Sequence, residues 1–443
     1  MNAERGLRGD AEKVEGGRGS VRAKGSMSRE GAAPSAPVAG GGAHGGAPSH
    51  NSASGLTSRD PWQKVKLSEV AKGIYDGPHA TPPPCDTPGY YFLGIPQITP
   101  TGHIDLANPR YISEDDYAKW TRRVVPREGD VIFSYEATLN LYAIIPKDMR
   151  CCLGRRMGLV RPDIAKLDYR FLYYYFFSPE WRRTVVENTV TGATVDRLPI
   201  KTFPSFQMSL PPLPVQRRIA DILSEYDDLI ENNRRRIAIL EETAQLTYRK
   251  LFGRVKKPRT ATLGEICREV RRGVSPDAIA PDTPYIGLEH MPRRSISLCE
   301  WESAQKVTST KLAFEAGDIL FGKIRPYFHK VGITFIDGVA SSDAIVIKPL
   351  YPELHAYVLM TVSSDAFVAA ASQGMKEGSK MPRADWKQLL NYSVVMPDDE
   401  TLTEFNKVLN PILEQLKTLC FSIRNLAAAR DMLLPRLMKG ESV

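Results

Sequence analysis

The feature that most constrains this chain is an internal repeat, in which four short strings recur in the same order about 190 residues apart. The matched pairs are Leu67–Gly77 with Leu263–Gly273, Tyr91–Gly94 with Pro284–Gly287, Glu128–Phe133 with Ala316–Phe321, and Gly192–Arg197 with Gly378–Arg383. The order is kept, and the spacing drifts by only about ten residues over the unit. Four ordered matches predict a chain built from two similar halves.

Each half has the pattern of a mixed α+β unit. Short β-type runs occur at Val131–Phe133, Ile319–Phe321 and Ala344–Ile347, separated by Gly, Pro and Asp turns. A helical stretch then follows in each half, at Tyr169–Phe177 and Leu354–Val362. The pattern therefore predicts two α+β units of about 150 residues, an ordinary domain size.

A long helix with an apolar seam is predicted after each half, because apolar residues recur in alternating steps of four and three. The first helix follows Leu210–Pro214, and the second contains Pro411 and Pro435, which we expect to kink or shorten it. The seam positions are Ile219, Leu223, Tyr226, Ile230, Asn233, Ile237 and Leu240 in the first helix, and Leu409, Ile412, Leu416, Leu419, Ile423 and Leu426 in the second.

The two seams most simply bury each other in a coiled coil. If the helices are antiparallel, one half lies at each end, and the pair holds two similar surfaces at a fixed separation. Asn233 and Arg430 are polar positions within the seams. We expect them to fix register and pairing, in preference to binding a ligand.

Charge favours a polyanionic partner without identifying one. Lys and Arg outnumber Asp and Glu by 59 to 51, which gives a net charge of +8. Residues 1–60 are dense in Gly, Ala and Ser, have no apolar periodicity and are predicted to be disordered. Met27 lies within them as an alternative start, and they contain no apolar core of a secretory signal.

The six cysteines form no C-x-x-C pair, so reduced thiols in a cytoplasm are expected. Cys151 and Cys152 are adjacent, and we expect two semi-buried residues in preference to a redox pair. The sequence has no apolar run of about 18 residues, so no membrane span is predicted.

Catalytic motifs were sought and none fits. Gly317–Lys323 matches most of a phosphate-binding loop, but Ile324 stands where the pattern needs Ser or Thr for magnesium. The Pro-Pro runs lack the aromatic residue of an adenine methyltransferase motif. Asp385–Lys387 has no Pro-Asp pair near enough for a nuclease, and the seven histidines show no metal-ligand spacing. The residues therefore predict a non-catalytic chain.

Several of these strings resemble the specificity (S) subunits of type I restriction–modification systems. Leu210–Leu223 is similar to the entry of their central helical region, and Ile237–Phe252 to its tail. Tyr75–Pro82 and Gly317–Gly332 resemble strings of their target-recognition domains. The resemblance covers essentially the whole chain after residue 61, although only Met396-Pro397 precedes the second helix.

The resemblance implies two similar target-recognition domains, joined by two long antiparallel coiled-coil helices with a pseudo-two-fold relation. The implied boundaries are residues 61–209 and 256–396 for the recognition domains, and 210–255 and 397–440 for the central and distal helices. Each domain would read one half of an asymmetric, bipartite duplex DNA site in a prokaryotic cytoplasm.

The resemblance also implies partners that carry the chemistry. Two modification subunits would bind S-adenosylmethionine and methylate adenine at N6. Two restriction subunits would use ATP and Mg²⁺ to cut unmethylated DNA. The chain itself would bind no cofactor and no metal.

Polar loop residues near the repeated strings are the candidate DNA contacts, because base edges are read by polar side chains and phosphates by cations. In the first half they are Tyr75, Asp76, His79, Thr81, Gln97, Thr99, Thr191, Thr194 and Arg197. In the second half they are Arg271, Arg272, Ser275, His290, Lys323, Arg325, Tyr327, His329, Lys376, Lys380 and Arg383. Lys323–Arg325 and Lys376–Arg383 are the preferred candidates, because cations cluster there beside Gly turns.

Two other classes of function stay open at this point. A self-contained nuclease or methyltransferase with two DNA-binding lobes would need cofactor binding by the pure chain. An RNA-binding or scaffolding protein built on the helices would prefer RNA over a bipartite duplex. Within the S-subunit interpretation, a complex without restriction subunits would only methylate.

Overall fold

The computed structural model describes residues 62–83, 85, 87–192, 195–253, 259–373 and 381–441, and they form a mixed α+β fold as the sequence predicts. The predicted N-terminal extension, residues 1–60, lies outside the described residues. Within residues 62–441, two sheet-containing halves alternate with two long helices along the chain.

The described residues of the first half form nine strands and four α-helices. The strands are β1 (Gln63–Lys66), β2 (Ala71–Asp76), β3 (Tyr90–Leu93), β4 (Tyr111–Ile112), β5 (Val131–Ser134), β6 (Tyr142–Ile144), β7 (Cys151–Leu153), β8 (Met157–Pro162) and β9 (Gln207–Leu210). The helices are α1 (Leu67–Val70), α2 (Glu114–Trp120), α3 (Tyr169–Phe176) and α4 (Pro179–Asn188). The sheets have the orders β2-β8-β5-β6, β4-β3-β7 and β1-β9.

The helix α5 (Leu213–Phe252) leads to the second half. Its strands are β10 (Arg259–Thr262), β11 (Cys267–Val270), β12 (Gly273–Val274), β13 (Pro284–Ile286), β14 (Glu302–Ser303), β15 (Lys311–Phe314), β16 (Ile319–Gly322), β17 (Val331–Ile333), β18 (Gly338–Ala340), β19 (Ala344–Pro349) and β20 (Ser393–Met396). Its helices are α6 (His355–Val362), α7 (Asp365–Gln373) and α8 (Trp386–Leu389), and α9 (Asp399–Leu437) follows.

The sheet topology confirms the repeat. The order β11-β19-β16-β17 repeats β2-β8-β5-β6, and the pair β10-β20 repeats β1-β9. In both halves a parallel pair, β3 with β7 and β13 with β18, lies in a second sheet. The two halves therefore share one chain path through their sheets.

The repeated Gly-Asp string has a local structural reason. Gly129 and Gly317 both have a positive φ, at 80° and 95°, a conformation that glycine adopts without strain. The following carboxylates, of Asp130 and Asp318, are buried and accept the backbone N–H of the residue three positions earlier, each at 2.8 Å. This closed turn introduces β5 and β16, the central strands of the two repeated sheets.

The helices α5 and α9 pack antiparallel along their length. Phe252 lies 5.1 Å from Phe405 between ring centroids, and the Asn233 amide donates to Ser422 Oγ at 3.1 Å. Near the other end, Asp227 pairs with Arg430. Contacts that run from the end of α5 against the start of α9 require opposite chain directions. All thirteen predicted seam residues are buried or half-buried.

The prolines that we expected to kink or shorten the second helix do not shorten it, since α9 is continuous through both Pro411 and Pro435. Pro411 is exposed, so the backbone carbonyl that loses its hydrogen-bond partner there lies towards water. Pro435 lies in the last turn of the helix.

The two halves pack on opposite ends of this helix pair. Ile219 and Leu223 from α5 lie in the core of the first half, together with Leu434 and Leu437 from α9. Phe252 and the N-terminal part of α9 lie in the core of the second half. At the first-half end, Trp62 packs edge-on against Phe171, and a Cβ at Gly440 would lie 3.2 Å from Trp62 Nε1.

The expectation of six reduced thiols was wrong for two of them, because Cys299 forms a disulfide with Cys420 of α9. The two residues are 121 positions apart, and the fold brings their Cα atoms to 4.9 Å. Cys151 and Cys152 are fully buried in β7, and burial raises the pKa of each thiol to about 12. Neutral buried thiols are poor nucleophiles, which fits packing residues.

Across the described ranges, no single helix has the length and apolarity needed to cross a membrane; only the bent pair Pro352–Val362 and Asp365–Gln373 passes that test jointly.

Candidate nucleic-acid interface

Each repeated sheet carries a hairpin loop with the same unusual backbone. The first tip loop (residues 135–141) joins β5 to β6, and the second tip loop (residues 323–330) joins β16 to β17. Ala137 and Asn140 have φ of 69° and 63°, and Arg325 and His329 have φ of 49° and 53°. Residues other than glycine rarely adopt this left-handed conformation. Its recurrence at matching positions shows that the two loops are structural equivalents.

A returning segment pairs with each tip loop through the same hydrogen bonds. In the first half, Ala137 N–H donates to Asp196 O at 3.0 Å, and Glu136 forms a bridge with Arg197. In the second half, Arg325 N–H donates to Pro382 O at 2.8 Å, and Ile324 forms a bridge with Arg383. The fold thus brings the third and fourth repeated strings together in both halves.

The two sites have the same backbone and unlike charges. In the first, the Glu136 carboxylate pairs with Arg156 at 3.0 Å. In the second, Arg383 pairs with Asp343 at 3.2 Å, and Lys323 Nζ donates to the Ser342 carbonyl. Equivalent surfaces with different chemistry can bind different ligands in the same orientation.

The second tip loop presents an aromatic side chain at its tip. Tyr327 is 51% exposed on a short 3-10 turn, Pro326–Phe328, whose proline is buried. Its ring meets that of Phe328 edge-on at 4.9 Å. Guanidinium groups lie over the Phe328 ring, from Arg293 at 4.2 Å and from Arg325 at 5.8 Å. The turn is therefore packed from within, while Tyr327 faces water.

The base of the same loop is fixed by His329. Its ring is buried, Nε2 lies 2.7 Å from the carbonyl oxygen of Ser363, and Nδ1 lies 3.5 Å from the Asp365 carboxylate. A carbonyl only accepts, so Nε2 carries the proton and donates. Asp365 also pairs with Arg294 at 2.8 Å, and Arg294 N–H donates to the His329 carbonyl at 2.9 Å. The expectation that His329 contacts DNA is corrected, because its ring points into the protein.

The docking segment (residues 293–301) connects this loop to both long helices. One oxygen of Glu241 on α5 accepts from Ser295 Oγ at 2.7 Å, Ile296 N–H at 3.0 Å and Ser297 Oγ at 2.6 Å. Burial raises the pKa of Glu241, and the hydrogen bonds from Ser297 and Ser295 oppose that shift. On the α9 side, the Arg424 guanidinium lies 3.6 Å over the Trp301 ring.

Two candidate arginines of the second half lie outside the second tip loop, and each already forms an ion pair. Arg271 pairs with Glu269 at 2.7 Å, and Arg272 with Glu315 at 2.8 Å. Ser275 is exposed, whereas His290 Nδ1 accepts the Gly287 N–H at 2.9 Å. Lys376 and Lys380 lie outside the described residues.

In the first half, the Tyr75–Thr81 string forms an ion-paired cluster. Asp76 pairs with Arg123 at 2.6 Å and lies 3.0 Å from His79, and the Arg161 guanidinium lies 5.9 Å over Tyr75. His79 and Thr81 are exposed. Asp76 is thus held within the protein by its cationic neighbours.

The remaining first-half candidates are separated. Gln97 is buried and its Oε1 accepts the Gly94 N–H at 3.1 Å, so the expectation that it contacts DNA is corrected. Thr99 Oγ1 accepts the His103 N–H at 2.9 Å. Thr191 and Arg197 are exposed, and Thr194 lies outside the described residues.

Comparison with known proteins points to one family. Residues 59–242 match the family model described as "Type I restriction modification DNA specificity domain". The type I restriction enzyme MjaIX specificity subunit of Methanocaldococcus jannaschii is 22% identical over 418 residues, covering 86% of this chain and 92% of the relative. The putative MjaX specificity subunit of the same organism is 27% identical over 203 residues, covering 44% and 46%.

The chain is similar to type I specificity subunits. The crystal structure of a type I restriction–modification S subunit from M. genitalium has the same fold, with a TM-score of 0.51 and 15% identity over 86% of this chain and 97% of that one. The MjaIX subunit and the M. genitalium structure each align with 86% of this chain, and therefore with both of its halves.

Sequence patterns only partly revealed three features of the candidate interface. The Arg293–Arg294 pair was visible as adjacent cations, but nothing marked it as part of the tip-loop site. Tyr327 was a candidate DNA contact by residue type alone. The left-handed conformations of Arg325 and His329 on either side of it were not predicted. Glu241 lies one residue after the seam position Leu240, and only the fold shows the docking segment that it holds.

Neither a phosphate-binding loop nor a metal site is favoured by the described residues. Residues 319–322 of the phosphate-loop-like string form β16, so no flexible phosphate cradle exists there. Glu289, His290 and Glu302 lie close enough to share a metal ion. However, His290 Nδ1 already accepts a backbone N–H, which leaves the neutral ring with its proton on Nε2 and without a lone pair there.

Proposed function

We propose that this chain is the DNA sequence-specificity subunit of a type I restriction–modification complex and recognises a bipartite, asymmetric site on duplex DNA. The observation that carries the proposal is the pair of equivalent tip loops with unlike chemistry on halves packed at opposite ends of α5 and α9. In this proposal each half is a target-recognition domain, residues 61–209 and 256–396. The helices, residues 210–255 and 397–440, form a pseudo-two-fold coiled coil between them.

Unlike charges at equivalent positions support an asymmetric site. A carboxylate such as Glu136, where the second tip loop has Ile324, accepts from the amino group of cytosine, whereas Arg325, where the first tip loop has Ala137, donates to guanine or to phosphate. If both loops approach the duplex in the same way, the two half-sites differ in sequence. The net charge of +8 supports binding to the phosphate backbone.

The proposal makes the chain a non-catalytic part of a larger complex in a prokaryotic cytoplasm. Two modification subunits, carrying S-adenosylmethionine, would methylate adenine at N6. Two restriction subunits, using ATP and Mg²⁺, would cut unmethylated DNA. The helix pair offers an exposed surface to such partners, since Leu229, Ile239 and Leu246 are each at least half exposed on α5.

The deciding experiment co-expresses the chain with the modification subunit encoded beside it and maps N6-methyladenine by single-molecule sequencing. We expect a bipartite motif that disappears when this chain is omitted. Replacing residues 62–209 with the corresponding region of another family member should change one half of the motif only. A motif that persists without this chain, or binding that prefers RNA over duplex DNA, would overturn the proposal.

The pure chain serves as the test of its non-catalytic role. Incubated with duplex DNA, S-adenosylmethionine, ATP and Mg²⁺, it should neither methylate nor cleave. Methyl transfer by the pure chain would instead establish a self-contained methyltransferase.

A further inference from the structure

The second tip loop holds a costly backbone that its sequence does not favour. Arg294, Arg325 and His329 all have a positive φ, and the N–H of Arg294 donates to the carbonyl of His329. Left-handed backbone at residues with a Cβ costs free energy and persists where the surroundings impose it, most often at binding sites. The strained backbone therefore marks the second tip loop as a candidate binding site, and the side chain that it exposes as the candidate contact.

The side chain that the loop presents is Tyr327. Pro326 is buried beneath the turn, and Phe328 is covered by the Arg293 guanidinium, while Tyr327 is 51% exposed. A rigid aromatic side chain can contact a base with little loss of conformational entropy. The first tip loop, residues 135–141, has no exposed aromatic side chain at the corresponding point, since Leu139 there is packed against the first-half core.

The surroundings of Tyr327 are suited to a polyanion. Lys323, Arg325 and Lys330 belong to the loop, and backbone contacts place Arg294 and Arg383 beside it. Asp343 and Asp365 each pair with one of these arginines. Cations thus outnumber carboxylates around an exposed ring, the arrangement that holds phosphates while a central side chain meets a base.

We propose that Tyr327 is a specificity-determining residue for the second half-site and that His329 is its positioning residue. This inference rests on the proposed function and adds an asymmetry to it: one half-site is read through an aromatic tip that the other lacks. His329 acts through the backbone, because its left-handed conformation sets the path of the loop, while its ring points inward to the Ser363 carbonyl at the end of α6 and lies beside Asp365 at the start of α7.

The chain supplies its own control substitution for His329. Asn140 occupies the equivalent position of the first tip loop with φ of 63°, and Tyr142 Oη donates to its side-chain oxygen at 3.0 Å. Asparagine accepts the left-handed conformation more readily than most residues, whereas a β-branched residue resists it. His329→Asn should keep the loop shape that His329→Val loses.

A matched control also exists for Tyr327. Tyr351 is 53% exposed on the same half. It follows β19, whose start pairs with the end of β16 beside the tip loop, so Tyr351 lies beyond the other end of this sheet. Tyr351→Ala removes an equally exposed ring far from the proposed contact.

The experiment uses the full chain in complex with its modification subunit, mapping N6-methyladenine and measuring binding to duplexes that carry the mapped site. Tyr327→Ala should weaken binding roughly tenfold and relax base preference at one or two positions of the second half-site. Its first half-site and its melting temperature should match the wild type. His329→Val should relax the same positions, and His329→Asn and Tyr351→Ala should not.

The outcomes separate this inference from the proposed function. If the wild-type chain directs no bipartite motif, the proposed function fails. If it directs one and Tyr327→Ala leaves both half-sites unchanged, the role of Tyr327 fails. If Tyr327→Ala relaxes base preference in the second half-site but His329→Val does not, the specificity role of Tyr327 is supported and the positioning role of His329 is contradicted.

Discussion

Asn233 on α5 donates a 3.1 Å hydrogen bond to the Ser422 hydroxyl on α9, within a seam that is otherwise mostly apolar. A buried polar pair in a coiled coil costs stability and fixes register. Asn233→Leu is therefore expected to raise the melting temperature of the complex. It should also make the number of base pairs between the two halves of the methylation motif variable.

Asn232→Leu is the matched control for that substitution, because Asn232 is exposed beside it. We expect no change in motif spacing for the control. A lower melting temperature for Asn233→Leu, with a sharp and unchanged motif, would show that this hydrogen bond stabilises the helix pair without setting its register.

Asp227 and Arg430 form the second polar contact between the helices, with side chains only 14% and 15% exposed. Burial opposes the charged form of Arg430, but hydrogen bonds to Asp227 and Asp431 outweigh it and raise its pKa. Removing Asp227 leaves the buried Arg430 guanidinium with only Asp431, which is 66% exposed, as its carboxylate partner. Asp227→Ala is expected to lower the free energy of unfolding by about 3 kcal/mol, measured by urea denaturation.

The control for this pair is Asp221→Ala, since Asp221 is 58% exposed and pairs with Arg170 at the surface. A surface pair contributes about 0–1 kcal/mol. Equal losses for the two variants would contradict a special role for the buried pair.

Glu241 gives a prediction about pH. Burial raises its pKa above 4.5 in the folded state, so its favourable contribution is complete below that value and is lost as pH rises through the folded pKa. Glu241→Gln keeps an accepting oxygen and carries no charge. Its free energy of unfolding relative to the wild type should therefore increase as pH rises from 4.5 to 8.

Urea denaturation at several pH values between these limits measures that difference. Glu242 is exposed beside Glu241, and Glu242→Gln is the matched control for the loss of a neighbouring charge. A flat curve for Glu241→Gln would mean that burial and the hydrogen bonds from Ser295 and Ser297 cancel, and a falling curve would mean that the hydrogen bonds outweigh burial and lower the pKa of Glu241.

The Cys299–Cys420 disulfide predicts a large effect of reduction. Closing a loop of 121 residues restricts the unfolded chain, and the chain-entropy model gives about 5 kcal/mol for such a loop. The free energy of unfolding should fall by an amount of this order when a reductant is added. Alkylation of all six cysteines in the unfolded, unreduced chain would show that the bond does not form.

Cys85→Ser provides the comparison, because Cys85 lies outside the disulfide and is half-buried. This variant should keep the full response to reductant, whereas Cys420→Ala should lose it.

The elements with strong local patterns were predictable from sequence. Val131–Phe133 and Ile319–Phe321 lie in β5 and β16, and the first long helix begins at Leu213, two residues before the start predicted after Pro214. The Gly-Asp strings were recognisable as repeats because a positive φ and a buried carboxylate both restrict the residue type. Local chemistry alone determines these features.

The tertiary contacts were not predictable in the same way. Gln97 and His329 look like polar loop residues, and only the packing around them shows that their side chains turn inward. Cys299 and Cys420 have no spacing that a pattern could recognise. Pro411 was expected to disturb α9, but on the solvent side of a helix the lost hydrogen bond can be replaced by water. Each miss depends on a partner distant in sequence.

The contact between Trp62 and Gly440 brings the two ends of the described chain together beside Phe171. The path therefore runs through the first half, along α5, through the second half and back along α9 to its starting point. A circular permutation that begins with the second half would preserve every strand pairing and both helices. The fold therefore does not depend on which half comes first along the polypeptide. Duplication followed by exchange of single halves could generate new proteins of this architecture without changes to the α5–α9 helix pair.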